Sequence, residues 1–386
     1  MTDEKSRNHL KLILASQYFL YFGVLGIFLP YFNLYCYRIG FDGFQIGVLT
    51  AVRTGATIIF PILWATIADR FHNRKLIYIF FNFISTAIWA LYLYTVDFWA
   101  MLVITILYGI FYSPLISFLE AFTMDILGRE RKSYGRIRAW GTFNFIVIVI
   151  VIGKIIDIFS TEIIIPLILG GSLIQSFISI KIPNIRISKK MPVIPWTTTL
   201  KKKQIVIFLF CAFLMLVSHG TYYGFFSIHL ENMGYGNTFI GITWALASIA
   251  EILVMIKSNS IFRRFSLENV LTFSFMIATI RWTLLFFADT PTLILFSQLL
   301  HAVTYGTFHM ASIIYIDQLA PQEAKTSGQA INNAVTYGLG MMVGALFNGY
   351  FFESIGSSYL FLLSGFIALS GGIIFRRYQK NICSNN

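Results

Sequence analysis

The sequence predicts an all-α membrane protein of twelve transmembrane helices in two six-helix halves. Three observations predict it. The 386 residues are 57% hydrophobic and 12% charged, where a soluble domain of this size carries about 25% charged residues. Apolar runs near the ~20 residues that a bilayer-spanning helix needs recur along the whole chain. Basic residues gather in alternate loops.

The apolar runs place spans at 11–36, 44–67, 76–96, 98–126, 137–158 and 162–181 in the first half. In the second half they place them at 205–230, 238–257, 267–288, 291–317, 327–352 and 357–377. The first run follows Lys5, Arg7 and Lys11 as a signal peptide would, but no small-residue cleavage pattern follows, so it reads as a retained first helix. The run 98–126 is long and holds Pro114, which a membrane helix tolerates where neighbours satisfy the freed carbonyl. The polar, lysine-rich stretch 182–204, with Pro183, Pro192 and Pro195, divides the spans six and six. The expected organisation is therefore 1–181, a linker at 182–204, and 205–386.

The net charge of +12 resides in loops such as Arg129–Arg136, 181–203 and Arg376–Lys380. The opposite loops hold Arg38 and Lys154 as their only basic residues, beside Asp42, Asp97, Asp157, Glu162, Glu231, Asp289 and Glu353. This is the positive-inside pattern, which sets both termini in the cytoplasm and requires an even number of spans. Topology accounts for the charge and nucleic-acid binding is not expected. Cys36, Cys211 and Cys383 lie far apart without metal-ligand spacing, so neither a disulfide, a metal site nor a bound cofactor is expected.

The halves share a plan. An offset of 194 residues superposes Gly47 on Gly241, Arg70 on Arg264 and Phe71 on Phe265. A slightly different offset lays Gly153–Asp157 on Gly349–Glu353, in each case a glycine and then a carboxylate at the outer end of a span. Parallel duplicated halves are an architecture of transporters.

Five charges lie inside apolar runs: Arg53, Glu120, Arg138, Glu251 and Arg281. Each costs at least about 2.5–3.5 kcal/mol at membrane depth and persists mainly where it faces an interior cavity with a function. Glu120 and Arg138 stand on consecutive spans and can neutralise each other or turn to a ligand. Glu251, pulled one way by desolvation and the other by a nearby cation, is suited to take up and release a proton, with Arg281 on the next span as the natural partner. Arg53 is either a bidentate fork for a substrate carboxylate or a snorkelling residue paired with Asp42. His219 and His301, in spans that also carry His229 and His309, could share a polar cavity. Tyr222 and Tyr223 could stack on a ring or simply pack. Asn332, Asn333 and Gln17 add hydrogen-bonding groups, and Gly338, Gly340 and Gly344 read as packing seams.

The loop Ala65-Thr-Ile-Ala-Asp69-Arg70-Phe-His72-Asn-Arg74-Lys75 resembles the loop signature of the major facilitator superfamily, with Ala65 and His72 in place of its glycines. The resemblance implies a gating role for Asp69, Arg70 and Arg74. Ser218-His219-Gly-Thr-Tyr222-Tyr223-Gly-Phe225-Phe226, Gly241-Ile-Thr-Trp244 through Glu251, Arg281-Trp282, Leu300-His301-Ala-Val-Thr304-Tyr305-Gly306 and Tyr134-Gly135-Arg136-Ile-Arg138 resemble the phenylpropionate permease family. That family is similar to the lactose permease. The resemblance implies sugar-type contacts at Glu120 and Arg138, and a substrate and proton site at Glu251, Arg281 and His301. The proton-carrying carboxylate of the lactose permease falls at Thr304, which cannot carry a proton.

The expected function is proton-coupled symport of a small organic solute, an aromatic or other monocarboxylate before a sugar or nucleoside. The protein is expected to be a functional monomer in a bacterial inner membrane, with substrate, protons and lipid as its partners. A membrane-embedded enzyme would gather His, Asp and Glu at one membrane face, and here they are spread over both halves. No P-loop or Gly-x-Ser-x-Gly is present.

Overall fold

The computed structural model describes residues 2–71, 73–183, 200, 202–321 and 324–384. Among them there is no strand. The first seven helices are α1 (Thr2–Arg38), α2 (Gly43–Phe71), α3 (Arg74–Ala90), α4 (Phe98–Tyr112), α5 (Leu115–Leu127), α6 (Tyr134–Ile158) and α7 (Ile164–Ser179). After the linker come α8 (Lys203–Asn232), α9 (Asn237–Arg264), α10 (Leu267–Phe287), α11 (Pro291–Leu299), α12 (Phe308–Leu319), α13 (Lys325–Asn332) and α14 (Met341–Ser384). Two π-helical stretches, Ala302–Thr307 and Asn333–Gly340, join α11 to α12 and α13 to α14. Most of the expected linker, residues 184–199 and 201, lies outside the described residues.

Local chemistry sets several of the ends. Asp97 accepts from the Ala100 amide at 2.9 Å and caps α4, and Ser266 caps α10 by accepting from Asn269 at 3.3 Å. Pro291 opens α11, where its missing N–H costs nothing. The expected span 98–126 is two helices, because Pro114 clashes with a carbonyl one turn back and has no amide to continue the ladder. Ser113 at the break donates to the Ala56 carbonyl at 3.1 Å.

Eleven helical stretches among the described residues are long and apolar enough to cross a membrane. The last, Ser327–Lys380, has 54 residues, more than twice the ~20 that one crossing needs. Gly356 turns within it at φ 75° and ψ 165°, so it holds the eleventh and twelfth spans.

The chain divides into two compact units. The first comprises Met1–Phe41, Gly55–Lys190 and Gly236–Ala245. The second comprises Asp42–Thr54, Met191–Tyr235 and Leu246–Asn386. Each unit therefore takes its main part from one sequence half and the first turns of one helix from the other.

In the first unit α1 is central, packing along α6 and α7, while α3 packs on α7 and α4. Gln17 is structural: its amide donates to the Gln175 carbonyl at 3.0 Å and accepts from Tyr78 Oη at 2.9 Å, tying α1 to α7 and α3. Tyr31 Oη lies 2.6 Å from the Val149 carbonyl and 3.2 Å from that of Asn237. In the second unit α8 and α10 pack on α14. Thr221 Oγ1 joins Asn348 at 2.6 Å and Ser364 at 2.7 Å.

The internal repeat has a physical counterpart. In the first unit a Cβ on Gly153 would come 2.3 Å from the Asn237 carbonyl oxygen, and one on Gly241 would come 2.2 Å from that of Val149. Asp157 accepts from the amides of Asn237 and Thr238 at 2.8 and 2.9 Å, capping the start of α9. In the second unit a Cβ on Gly349 would meet the Gly43 carbonyl at 2.6 Å, and one on Gly47 would meet that of Ala345 at 2.7 Å. Glu353 accepts from the Gly43 amide at 3.0 Å, at the start of α2. The 194-residue offset also superposes Gly40 on Gly234, which turn the chain before these helices at φ 97° and 85°.

The seam between α8 and the eleventh span yields a test with an internal control. A Cβ on Gly220 would lie 2.6 Å from the Gly344 backbone, whereas one on Gly224 meets nothing within 4 Å. Gly220→Ala is expected to destabilise the purified protein by about 1–3 kcal/mol through overpacking. Gly224→Ala is expected to be neutral or to stabilise by up to about 1 kcal/mol through helix propensity. Thermal melts in detergent check the opposite signs.

Candidate functional site

Arg281 organises the polar interior of the second unit. It is fully buried on α10 and makes four hydrogen bonds. Nε donates to the Ser297 carbonyl at 3.0 Å and Nη2 to Gln298 Oε1 at 3.3 Å. Nη1 donates to His301 Nδ1 at 2.9 Å and to Thr304 Oγ1 at 3.3 Å. Every one of these partners is uncharged. The guanidinium carbon lies 4.4 Å from the Tyr222 ring centre and 4.5 Å from that of Trp282, so aromatic faces flank it. The partner expected from the sequence, Glu251, is not among its hydrogen bonds. Glu251 stands half-buried on α9 with its Cγ 2.8 Å from the position of a Cβ on Gly306. The bare glycine makes the space that this carboxylate side chain occupies.

His301, just before the first π-helical stretch, and Thr304 and Tyr305 within it lie close together. His301 and Thr304, three residues apart and so on one helix face, both reach Arg281. The rings of His301 and Tyr305 stack at 5.2 Å and 16°, and those of Tyr305 and His309 at 6.4 Å and 12°. His309 Nδ1 lies 2.7 Å from Tyr337 Oη. Tyr222 donates to Gln298 Oε1 at 3.0 Å, and its ring lies 5.3 Å from His301 and 5.2 Å from Tyr223.

His219 on α8 joins the same group. Its ring lies 4.9 Å from Trp282, 6.3 Å from His301 and 6.0 Å from Tyr305. His229, in contrast, bonds Ser357 at 2.9 Å and packs on Phe361 at 5.0 Å, a structural link between α8 and α14. Asn332 is buried, with Oδ1 accepting from Thr336 at 3.2 Å and Nδ2 without a partner among the described residues.

The first unit carries a separate charged group. Arg138 Nη1 contacts Glu120 Oε1 at 2.5 Å and Tyr134 Oη at 2.9 Å, and Tyr134 donates to the same carboxylate at 3.3 Å. Arg138 also stands 5.4 Å from the Phe22 ring centre. Both partners of the pair keep 40% of their side-chain surface accessible, so it can exchange one partner for a ligand.

Arg53 is half-buried on α2 and has interactions of its own. Of the loop signature, Arg74 lies 3.6 Å from Asp125 at the end of α5, and the side chains of Asp69 and Arg70 lie outside the described residues. Cys36 and Cys211 are buried free thiols. Among the described residues no group of three or more His, Cys, Asp or Glu is placed to hold a metal.

Sequence reasoning left Ser297, Gln298, Tyr305, Trp282 and Tyr337 out of the site. Gln298 carried a readable signal, an amide inside an apolar run three residues before His301. The aromatic residues carried none in a chain that is 17% aromatic.

The fold has counterparts among known proteins. The sequence profile of the MFS_1 like family matches residues 11–363. A probable 3-phenylpropionic acid transporter of Escherichia coli is 27% identical over 91% of this chain and 93% of its own length. The nucleoside permease NupG of Escherichia coli is 22% identical over 88% of this chain and 87% of its own. The crystal structure of the nucleoside transporter NupG superposes with a TM-score of 0.85 at 20% identity, covering 95% of this chain and 98% of that one. A helical chain with these spans and relatives is an integral, multi-pass membrane protein.

The two charged groups are expected to respond differently to neutralisation. Arg138→Gln should cost under about 1 kcal/mol, because a partly exposed pair contributes little. Arg281→Leu strips the donor from several buried acceptors, each worth about 1–3 kcal/mol when left unmet, and should lower stability by at least about 3 kcal/mol. Denaturant melts of the two variants in one detergent compare them.

Proposed function

This chain belongs to the MFS_1 like family, and we propose from that premise that it is a secondary transporter of a small aromatic or other monocarboxylate, working by alternating access. The observation that carries the reading is Arg281, a fully buried cation whose hydrogen bonds all go to uncharged groups. A positive charge held that way attracts an anion that enters its surroundings. The rings of Tyr222, Tyr223, Trp282 and Tyr305 beside it offer flat apolar surfaces to an aromatic solute. The name of the 3-phenylpropionic acid relative is in keeping with this chemistry.

Proton symport is the proposed driving mechanism. Glu251, which packs at Gly306 of the first π-helical stretch, carries the proton in this proposal, while Arg281 and His301 feel its charge state. Thr304, where the lactose permease has its proton carrier, serves Arg281 as a hydrogen-bond acceptor in this chain. Arg53 is a second proposed contact for the substrate carboxylate, His219, Tyr222, Tyr223, His301 and Asn332 are proposed to line the path, and Asp69, Arg70 and Arg74 to gate it. The alternating basic loops support a bacterial inner membrane with both termini cytoplasmic. The unit acts as a monomer.

A second reading has its own observation. Glu120, Arg138 and Tyr134 put a carboxylate, a guanidinium and a phenol within 3.3 Å of one another, chemistry that suits the hydroxyls of a sugar or nucleoside. The NupG likeness supports the fold of that reading.

In proteoliposomes Glu251→Gln is expected to lose at least about tenfold of pH-gradient-driven uptake while keeping exchange of labelled for unlabelled substrate near the wild-type rate. Unchanged gradient-driven uptake would remove Glu251 from the coupling role. Arg53→Lys is expected to weaken carboxylate substrates several-fold more than neutral ones, because an ammonium loses the bidentate fork. Equal weakening of both classes, measured by competition for uptake, would make Arg53 structural.

A further inference from the structure

His219 holds one of its two ring nitrogens in a fixed role. Nδ1 lies 2.8 Å from the Met215 carbonyl oxygen, which can only accept, so Nδ1 carries the proton. Nε2 of the neutral ring is then a bare lone pair. It is buried and has no hydrogen-bond partner among the described residues.

Three side chains close to it donate elsewhere. Trp282 Nε1 donates to Ser218 Oγ at 3.2 Å, Tyr222 Oη to Gln298 at 3.0 Å, and Arg281 to the four acceptors already described. Protonating Nε2 would add a second buried positive charge to a cluster that already holds Arg281, a steep desolvation cost. A buried acceptor without a partner costs about 1–3 kcal/mol, and in a native protein it calls for an explanation.

His301 is fixed the other way. Its Nδ1 accepts from Arg281, which can only donate, so its Nε2 carries the proton. The two rings, 6.3 Å apart, thus offer one acceptor and one donor.

Building on the transport reading above, we propose that His219 Nε2 is a specificity-determining acceptor of the substrate site. It selects solutes whose ring carries a hydrogen-bond donor, a hydroxyl or a ring N–H, over the same ring without one.

The test uses matched pairs that differ only in that donor: 3-phenylpropionate against its ring-hydroxylated analogue, and uridine against N3-methyluridine. Thermal shifts and competition binding are read on the purified full-length protein, on His219→Leu and on His219→Gln. In at least one pair the donor-bearing member should bind the wild type about tenfold or more tightly. His219→Leu should abolish that difference, and His219→Gln, which restores an acceptor, should retain part of it. Equal binding within both pairs, or a preference that survives in His219→Leu, overturns the proposal and leaves the transport reading standing. If no member of either pair binds, the substrate reading falls and this inference falls with it. The wild-type comparison needs no variant, so a His219→Leu protein that fails to fold still leaves the proposal open to refutation.

Discussion

A guanidinium inside a membrane-spanning helix must be solvated by protein, and much of the second unit is arranged around meeting that demand for Arg281. Its five N–H groups need acceptors that do not cancel its charge. Ser297, Gln298, His301 and Thr304 accept four hydrogen bonds from it, out of α11 and the stretch after it. Gln298 also accepts from Tyr222, so the same amide ties α8 to this group. His301 and Thr304, three residues apart on one helix face, both meet this one cation. Removing any of these partners would leave a buried polar group unmet, which is why the cluster behaves as a unit.

The packing around it relies on small residues. Apolar side chains gain nothing by leaving lipid for protein, so helices associate through close backbone contact and polar links. Gly220 against Gly344, Gly47 against Gly349 and Gly153 against the start of α9 are such contacts. At the last two, a carboxylate one turn on, Glu353 or Asp157, satisfies the amides that a helix start leaves open. The same geometry recurs in both units because the chain repeats itself.

Hydropathy made the spans legible, because lipid requires about 20 apolar residues whatever their order. It could not show that Pro114 divides one span into two helices, or that the last two spans run on with only a turn at Gly356. The repeat was legible through Gly47, Gly241, Gly153–Asp157 and Gly349–Glu353, since glycine and a capping carboxylate are hard to replace where backbones touch. His219 and His301 were expected to share a polar cavity, and their rings lie 6.3 Å apart. The pairing of Arg281 with Glu251 was inferred from adjacent spans, but adjacency in sequence does not say which faces meet. Arg281 bonds neutral groups, and Glu251 packs against Gly306. Gln298 and the π-helical turn escaped notice because neither changes the hydropathy of the run.

A buried arginine held by neutral partners serves, in this reading, the proton-driven movement of an organic anion. Uptake of labelled 3-phenylpropionate and its ring-hydroxylated analogue into proteoliposomes under an imposed pH gradient, acid outside, tests that claim most directly. At least one of them should accumulate above the level of simple equilibration, unmodified, and its accumulation should collapse when a protonophore is added. Equilibration without accumulation, or accumulation indifferent to the protonophore, would contradict it.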